Sequence, residues 1–197
     1  MQMMKNLIPA QMLLQILFQI LLQTIILTTV AEAQDDSRVQ LRHIAGIRTI
    51  DFTGGTGLNS RNGELSRCKF YSPIFFLRTA FNFEKTNFPS TVLSDYSLKY
   101  SANFTVVKLS DKLFVNAELG FFSGLEGNTA YSPADDPTFL YPAATVFIYG
   151  VFAGGNLELY LNENVALVGS IQQWYMLGSA FGEWKYQMNG GFRFILN

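Results

Sequence analysis

Three stretches of this chain alternate residue by residue between apolar and polar or small side chains, a two-residue period that belongs to strands with one greasy and one wet face. From Lys112 to Phe121, Leu113, Val115, Ala117, Leu119 and Phe121 fall on one side, while Lys112, Asn116, Glu118 and Gly120 fall on the other. The same beat runs from Ser97 to Val106 and from Glu183 to Leu196. In the last stretch Trp184, Tyr186, Met188, Phe192, Phe194 and Leu196 oppose Glu183, Lys185, Gln187, Asn189, Gly191 and Arg193. Amphipathic helical spacing is absent after residue 34. A soluble sandwich also alternates, so the deciding question is which face meets which medium.

Strand candidates fall at 44–56, 74–84, 96–109, 112–124, 146–162, 164–176 and 183–197, with a weaker one within 58–72. Two connections are tight, Leu109-Ser110-Asp111-Lys112 and Leu161-Asn162-Glu163-Asn164, and both use the short polar residues that favour turns. Another is long, Glu126 to Ala143, and carries Gly127, Pro133, Asp135, Asp136, Pro137 and Pro142. Alternating short and long connections and an even strand number describe an outer-membrane barrel with tight periplasmic turns and longer external loops. Counting back from the last strand makes the weak 58–72 strand obligatory. The expectation is an all-β, eight-stranded antiparallel up-and-down outer-membrane β-barrel over 44–197.

Several features favour lipid on the outside. The candidate strands run to about 11 to 15 residues, against about 5 or 6 in soluble proteins and about 9 to 11 for a tilted membrane strand. Tyr100, Trp174, Trp184 and Tyr186 lie toward strand ends and read as an interfacial aromatic girdle. On the opposite faces Asp51, Arg78, Lys99, Glu118, Glu158, Lys185 and Arg193 mix both signs, which predicts a paired polar network inside the barrel. Eight strands leave an interior just wide enough for side chains to fill, so no open pore is expected. A secreted soluble barrel of lipocalin type would need a charged exterior. Only 15% of the residues are charged, against about 25% in an average soluble domain.

The N-terminus sets the compartment. Lys5 precedes a charge-free stretch from Asn6 to Ala31, and Ala31-Glu32-Ala33 supplies the small-x-small pattern of a cleavage site before Gln34. Residues 1–33 therefore read as a signal peptide and 34–43 as a short polar lead-in. Gln11, Gln15, Gln19 and Gln23 recur every fourth residue and line one helical stripe, which keeps an uncleaved membrane anchor as the alternative.

Catalytic and cofactor chemistry finds no foothold. The net charge is −1 and no run of Lys and Arg is present, so no nucleic-acid partner is expected. The single cysteine, Cys68, excludes an internal disulfide and a thiolate metal site. The single histidine, His43, stands beside Arg42 and near Arg48 and reads as a surface residue rather than a base. Asp135 and Asp136 read as a solvated turn, and Gly54-Gly55-Thr56-Gly57 lacks the Lys-Ser/Thr ending of a phosphate loop. Those glycines, like Gly154-Gly155 and Gly190-Gly191, suit close packing or bending of barrel strands. No cofactor, metal, small-molecule substrate or enzymatic activity is expected.

The chain resembles the TraO proteins of conjugative transposons of Bacteroides-type bacteria. The residues that carry the likeness are Gly46-Ile47-Arg48 with Ile50 and Gly54-Gly55, the segment Phe104 to Gly120 with Lys108-Leu109-Ser110-Asp111, and the C-terminal third. In that third, Leu157-Glu158-Leu159-Tyr160-Leu161, the Asn162-Glu163-Asn164 turn, Gly178-Ser179 and Gly190-Gly191-Phe192-Arg193-Phe194-Ile195-Leu196-Asn197 occur in family order. The final aromatic-bearing strand also resembles the C-terminal signal by which outer-membrane barrels are recognised for insertion. The resemblance implies a structural envelope component of a conjugal mating apparatus, in contact with outer-membrane lipid and other transfer proteins. It supplies no catalytic residues. The competing expectation is a general small outer-membrane barrel for adhesion or ligand binding through loops 125–143 and 177–182.

Overall fold

The computed structural model describes residues 43–57, 59–87, 92–128, 144–179 and 183–196. The signal peptide assigned to 1–33, the lead-in up to residue 42 and the Asp135-Asp136 pair lie outside them. Eight strands follow in order: β1 Arg48–Gly57, β2 Ser60–Ser72, β3 Phe75–Asn87, β4 Val92–Ser110, β5 Leu113–Asn128, β6 Ala144–Tyr160, β7 Val165–Leu177 and β8 Trp184–Leu196. Each pairs antiparallel with the next, and β8 returns to β1, so the sheet closes and leaves no edge.

The strand weakest in the sequence, β2, is a full 13 residues. Its inward positions are Ser60, Asn62, Glu64, Ser66, Cys68 and Phe70, and its outward ones include Arg61, Arg67 and Lys69. Both faces carry polar residues, which blurs the alternation that marks the other strands.

One end of the barrel, the turn end, gathers the β2–β3, β4–β5 and β6–β7 connections with the start of β1 and the finish of β8. Its turns are held by their own side chains. Ser110 Oγ accepts a hydrogen bond from the Lys112 amide at 3.2 Å, and Asn162 Oδ1 accepts from the Asn164 and Val165 amides at 2.8 and 2.9 Å. The opposite, loop end departs from the expected alternation of short and long. Gly57 pairs directly with Ser60, and Asn59 between them takes the left-handed conformation, φ 64°. Of the four loop-end connections, only that between β5 and β6 is long, spanning residues 129–143.

Inside, side chains stack in layers along the axis. Phe70, Phe76, Phe114 and Tyr160 fill the turn end. A belt of charged and amide groups occupies the middle, and Phe122, Ile148, Phe152, Trp174 and Met176 pack above it. Strands approach too closely in places for any side chain: a Cβ at Gly55 would strike the Met188 carbonyl, and one at Gly191 the Phe52 carbonyl.

Candidate functional site

The inward residues of the middle belt come from all eight strands and bind one another. Asp51 on β1 accepts two hydrogen bonds from Arg193 on β8, from Nε and Nη2, both at 2.8 Å. Arg193 Nη1 also lies 2.6 Å from Glu158 Oε1. Arg78 pairs with Glu64, lies 3.6 Å from Glu118 and donates from Nε to Ser66 Oγ at 3.0 Å. Lys99 reaches Glu64 at 2.6 Å and Gln172 at 2.8 Å, and its ammonium also sits over the rings of Phe152 and Trp174. Gln172 and Ser101 both donate to Glu118. Six of the seven charged residues singled out in the sequence, Asp51, Arg78, Lys99, Glu118, Glu158 and Arg193, are thus brought together, each no more than 5% exposed. Glu64 completes the belt, and its place on the ambiguous β2 concealed it.

Lys185 stands apart, nearer the loop end, where it pairs with Glu84 and with Asp95 at 3.0 Å. Gln187 donates to Glu84 at 3.1 Å in the same group. Charges in so dry a space must be paired and hydrogen-bonded to be tolerated.

Two expectations are corrected. His43 is not a surface residue: it is fully buried at the turn end. Its ring stacks on Phe114 with centroids 4.3 Å apart, Nε2 lies 3.1 Å from Glu158 Oε2, and Nδ1 lies 3.1 Å from the Pro73 carbonyl. The backbone explains the placement. Gly46 adopts φ +95° and the Ile47 amide bonds back to the Ile44 carbonyl, a tight turn that sends the preceding residue inward. Trp174 is not part of a girdle either. It is 1% exposed and stacks on Phe152, because it lies two residues from the inward Gln172 and strand side chains repeat every second residue. Its neighbour Tyr175 faces out and meets Trp184 at 4.9 Å. Tyr100, Trp184 and Tyr186 do point outward, Tyr100 stacking on Phe121 at 5.4 Å.

What remains of the interior beside Asp51, Thr53, Arg78, Ser170 and Arg193 is a cavity with room for about one water molecule. Over the described residues the aromatic layers and the belt between them fill the lumen with side chains. The exterior is the converse: over β4 to β8 the outward residues, among them Leu98, Leu119, Phe121, Leu125, Phe147, Val151, Leu157, Ile171 and Phe192, include no charged side chain.

Residues 124–196, the end of β5 through β8, match the family model of the conjugative transposon protein TraO, so the resemblance read from the sequence is borne out over that stretch. Among solved structures, the chain is similar to the N-terminal β-barrel domain of Pseudomonas aeruginosa OprF, with 17% identity, TM-score 0.50, and 76% of this chain and 98% of that one covered. It is also similar to Neisserial surface protein A, with 16% identity, TM-score 0.50, and coverage of 75% and 95%. At such identities the likeness is one of fold, and the fold is that of small outer-membrane barrels. No curated protein sequence matches the chain.

Proposed function

We propose that this protein is a sealed outer-membrane barrel that serves a conjugative transfer apparatus as a structural component rather than as an enzyme or a pore. The turn end would face the periplasm and the loop end the cell exterior, the usual disposition of short turns and long loops. The observation that carries the reading is the pairing of an apolar wall, free of charge over β4 to β8, with an ionic, side-chain-filled interior, together with the TraO match over residues 124–196. A solvated barrel would invert that arrangement, and a conducting one would leave its lumen open. The belt of ion pairs would act as an internal brace that holds all eight strands in register.

Two measurements test it. The protein should fractionate with the outer membrane and migrate differently on gels before and after boiling, as folded barrels do. Deleting its gene from a donor should reduce transfer frequency, with recovery on complementation. Undiminished transfer from the deletion strain would remove the conjugative role.

A further inference from the structure

Every charged side chain on the outer wall is basic, and all of them lie on β1 to β3: Arg48, Arg61, Arg67, Lys69 and Lys85. No acidic residue shares that face on any of the eight strands, and among the described residues none of the five has an ion-pair partner. Register groups them into two sets. At the turn end Arg48 sits directly opposite Lys69, and Arg67 lies one outward step up β2, opposite Ile50. At the loop end Arg61 sits opposite Lys85. Like charges placed directly across a sheet repel one another, and cations facing hydrocarbon are costly. No carboxylate of the described residues relieves either cost, and only Lys69 gains a partial substitute, from the ring of Tyr71.

Beside the turn-end triad the wall has a bare floor. Gly169, Gly190, Gly54 and Gly63 are cross-strand neighbours in one continuous row over β7, β8, β1 and β2, and all face outward. A Cβ on any of them would meet nothing nearer than 3.6 Å, so the barrel's own packing does not require glycine there. The row forms a shallow oblique trench flanked by Phe52, Leu65, Phe192 and Met188. Gly63 lies four residues along β2 from Arg67, about 13 Å at strand rise. A ligand that satisfies both features carries a compact anion at one end and a slender apolar chain at the other.

We infer that the β1–β2 wall holds an anionic phospholipid of the turn-end leaflet, its phosphate between Arg48, Arg67 and Lys69 and an acyl chain over the glycine row. Arg suits the role because its planar fork bonds phosphate oxygens in a bidentate manner. Lys69 is steadied beside Tyr71, whose ring centroid lies 4.8 Å from its ammonium. A second copy of the chain cannot be the occupant through this face, since its outer wall offers no carboxylate to meet the triad. The inference rests on the reading that the wall faces lipid and goes beyond it by naming one lipid class and one site.

The test uses the full mature barrel, folded in neutral detergent and titrated with dioleoyl phosphatidylglycerol or dioleoyl phosphatidylcholine while bound lipid is counted by native mass spectrometry. One phosphatidylglycerol should be retained in preference to phosphatidylcholine. The variant Arg48→Gln, Arg67→Gln, Lys69→Gln should bind it about tenfold more weakly or worse. Gly54→Leu with Gly63→Leu should also weaken it while leaving the cations in place. Should the triple variant fail to give a heat-modifiable band, Arg67→Gln alone carries the comparison, with a smaller loss in the same direction. Equal binding of the two lipids, or unchanged phosphatidylglycerol binding in the charge variants, overturns the proposal and leaves the triad to an acidic protein. A wild-type chain that never gives a heat-modifiable band speaks instead against the membrane reading beneath it.

Discussion

Asp51 and Arg193 face each other across the β1–β8 seam, directly opposite in register, and their two parallel hydrogen bonds of 2.8 Å make the seam that closes the barrel an ionic one. Arg193 also meets Glu158 on β6 and Cys68 Sγ on β2, so one guanidinium ties four strands together. Removing it leaves two buried carboxylates short of a counter-charge, whereas removing Asp51 leaves Arg193 with Glu158. Arg193→Met should therefore cost about 3–5 kcal/mol, and Asp51→Asn less. Urea unfolding of the refolded barrel, followed by its shift on unboiled gels, measures both. The double variant should be less damaged than the sum of the single ones, and strict additivity would mean that the two side chains do not act as a pair.

The wall and the interior should respond differently to the same kind of insult. Leu119 is 63% exposed on the outward face of β5, and Leu119→Arg should cost about 2–4 kcal/mol if that face meets hydrocarbon. In neutral detergent, where the arginine can reach water, most of that penalty should vanish. Asn116 lies on the opposite face, where its amide donates to Asn156 and Glu158 at 2.7 Å and accepts from Thr105 at 2.8 Å. Asn116→Ala should cost about 1–3 kcal/mol in detergent and bilayer alike. Stability measured in the two media separates these cases.

Reconstituted into a planar bilayer, the wild-type barrel should show no steady ion current, because aromatic layers and an ion-paired belt block the lumen in series. Trp174→Ala removes the largest plug above the belt and should destabilise the fold by about 3–5 kcal/mol. It should still not conduct, since Lys99, Glu64, Gln172 and Glu118 beneath it remain joined. Stable channels in the wild type would contradict the sealed reading.

The strand alternation was legible because most of the wall is apolar and most of the lumen polar, as Leu119 beside Glu118 illustrates. Where the medium imposes no such contrast the pattern failed. In β2, Arg61, Arg67 and Lys69 stand where apolar residues would have marked the outer face, so the strand seemed weak although it is fully paired. Trp174 misled for another reason: an aromatic pair at adjacent positions cannot face one medium, and only Gln172 two residues earlier indicates which member turns inward. His43 was beyond reach of strand periodicity, because a turn with Gly46 at positive φ brings it into the lumen. Six members of the charged belt are legible in the sequence, yet neither Glu64 on β2 nor the pairings are, since the pairings depend on the register of residues up to 142 positions apart.

The distance along the chain between the members of the Asp51–Arg193 contact has a bearing on biogenesis. The earliest strand must wait for the last one made, so until β8 docks, the outermost hydrogen-bonding groups of β1 have no mate and remain open to stray pairing with any extended peptide nearby. The sheet of this molecule is therefore complete only once the final thirteen residues of strand swing home.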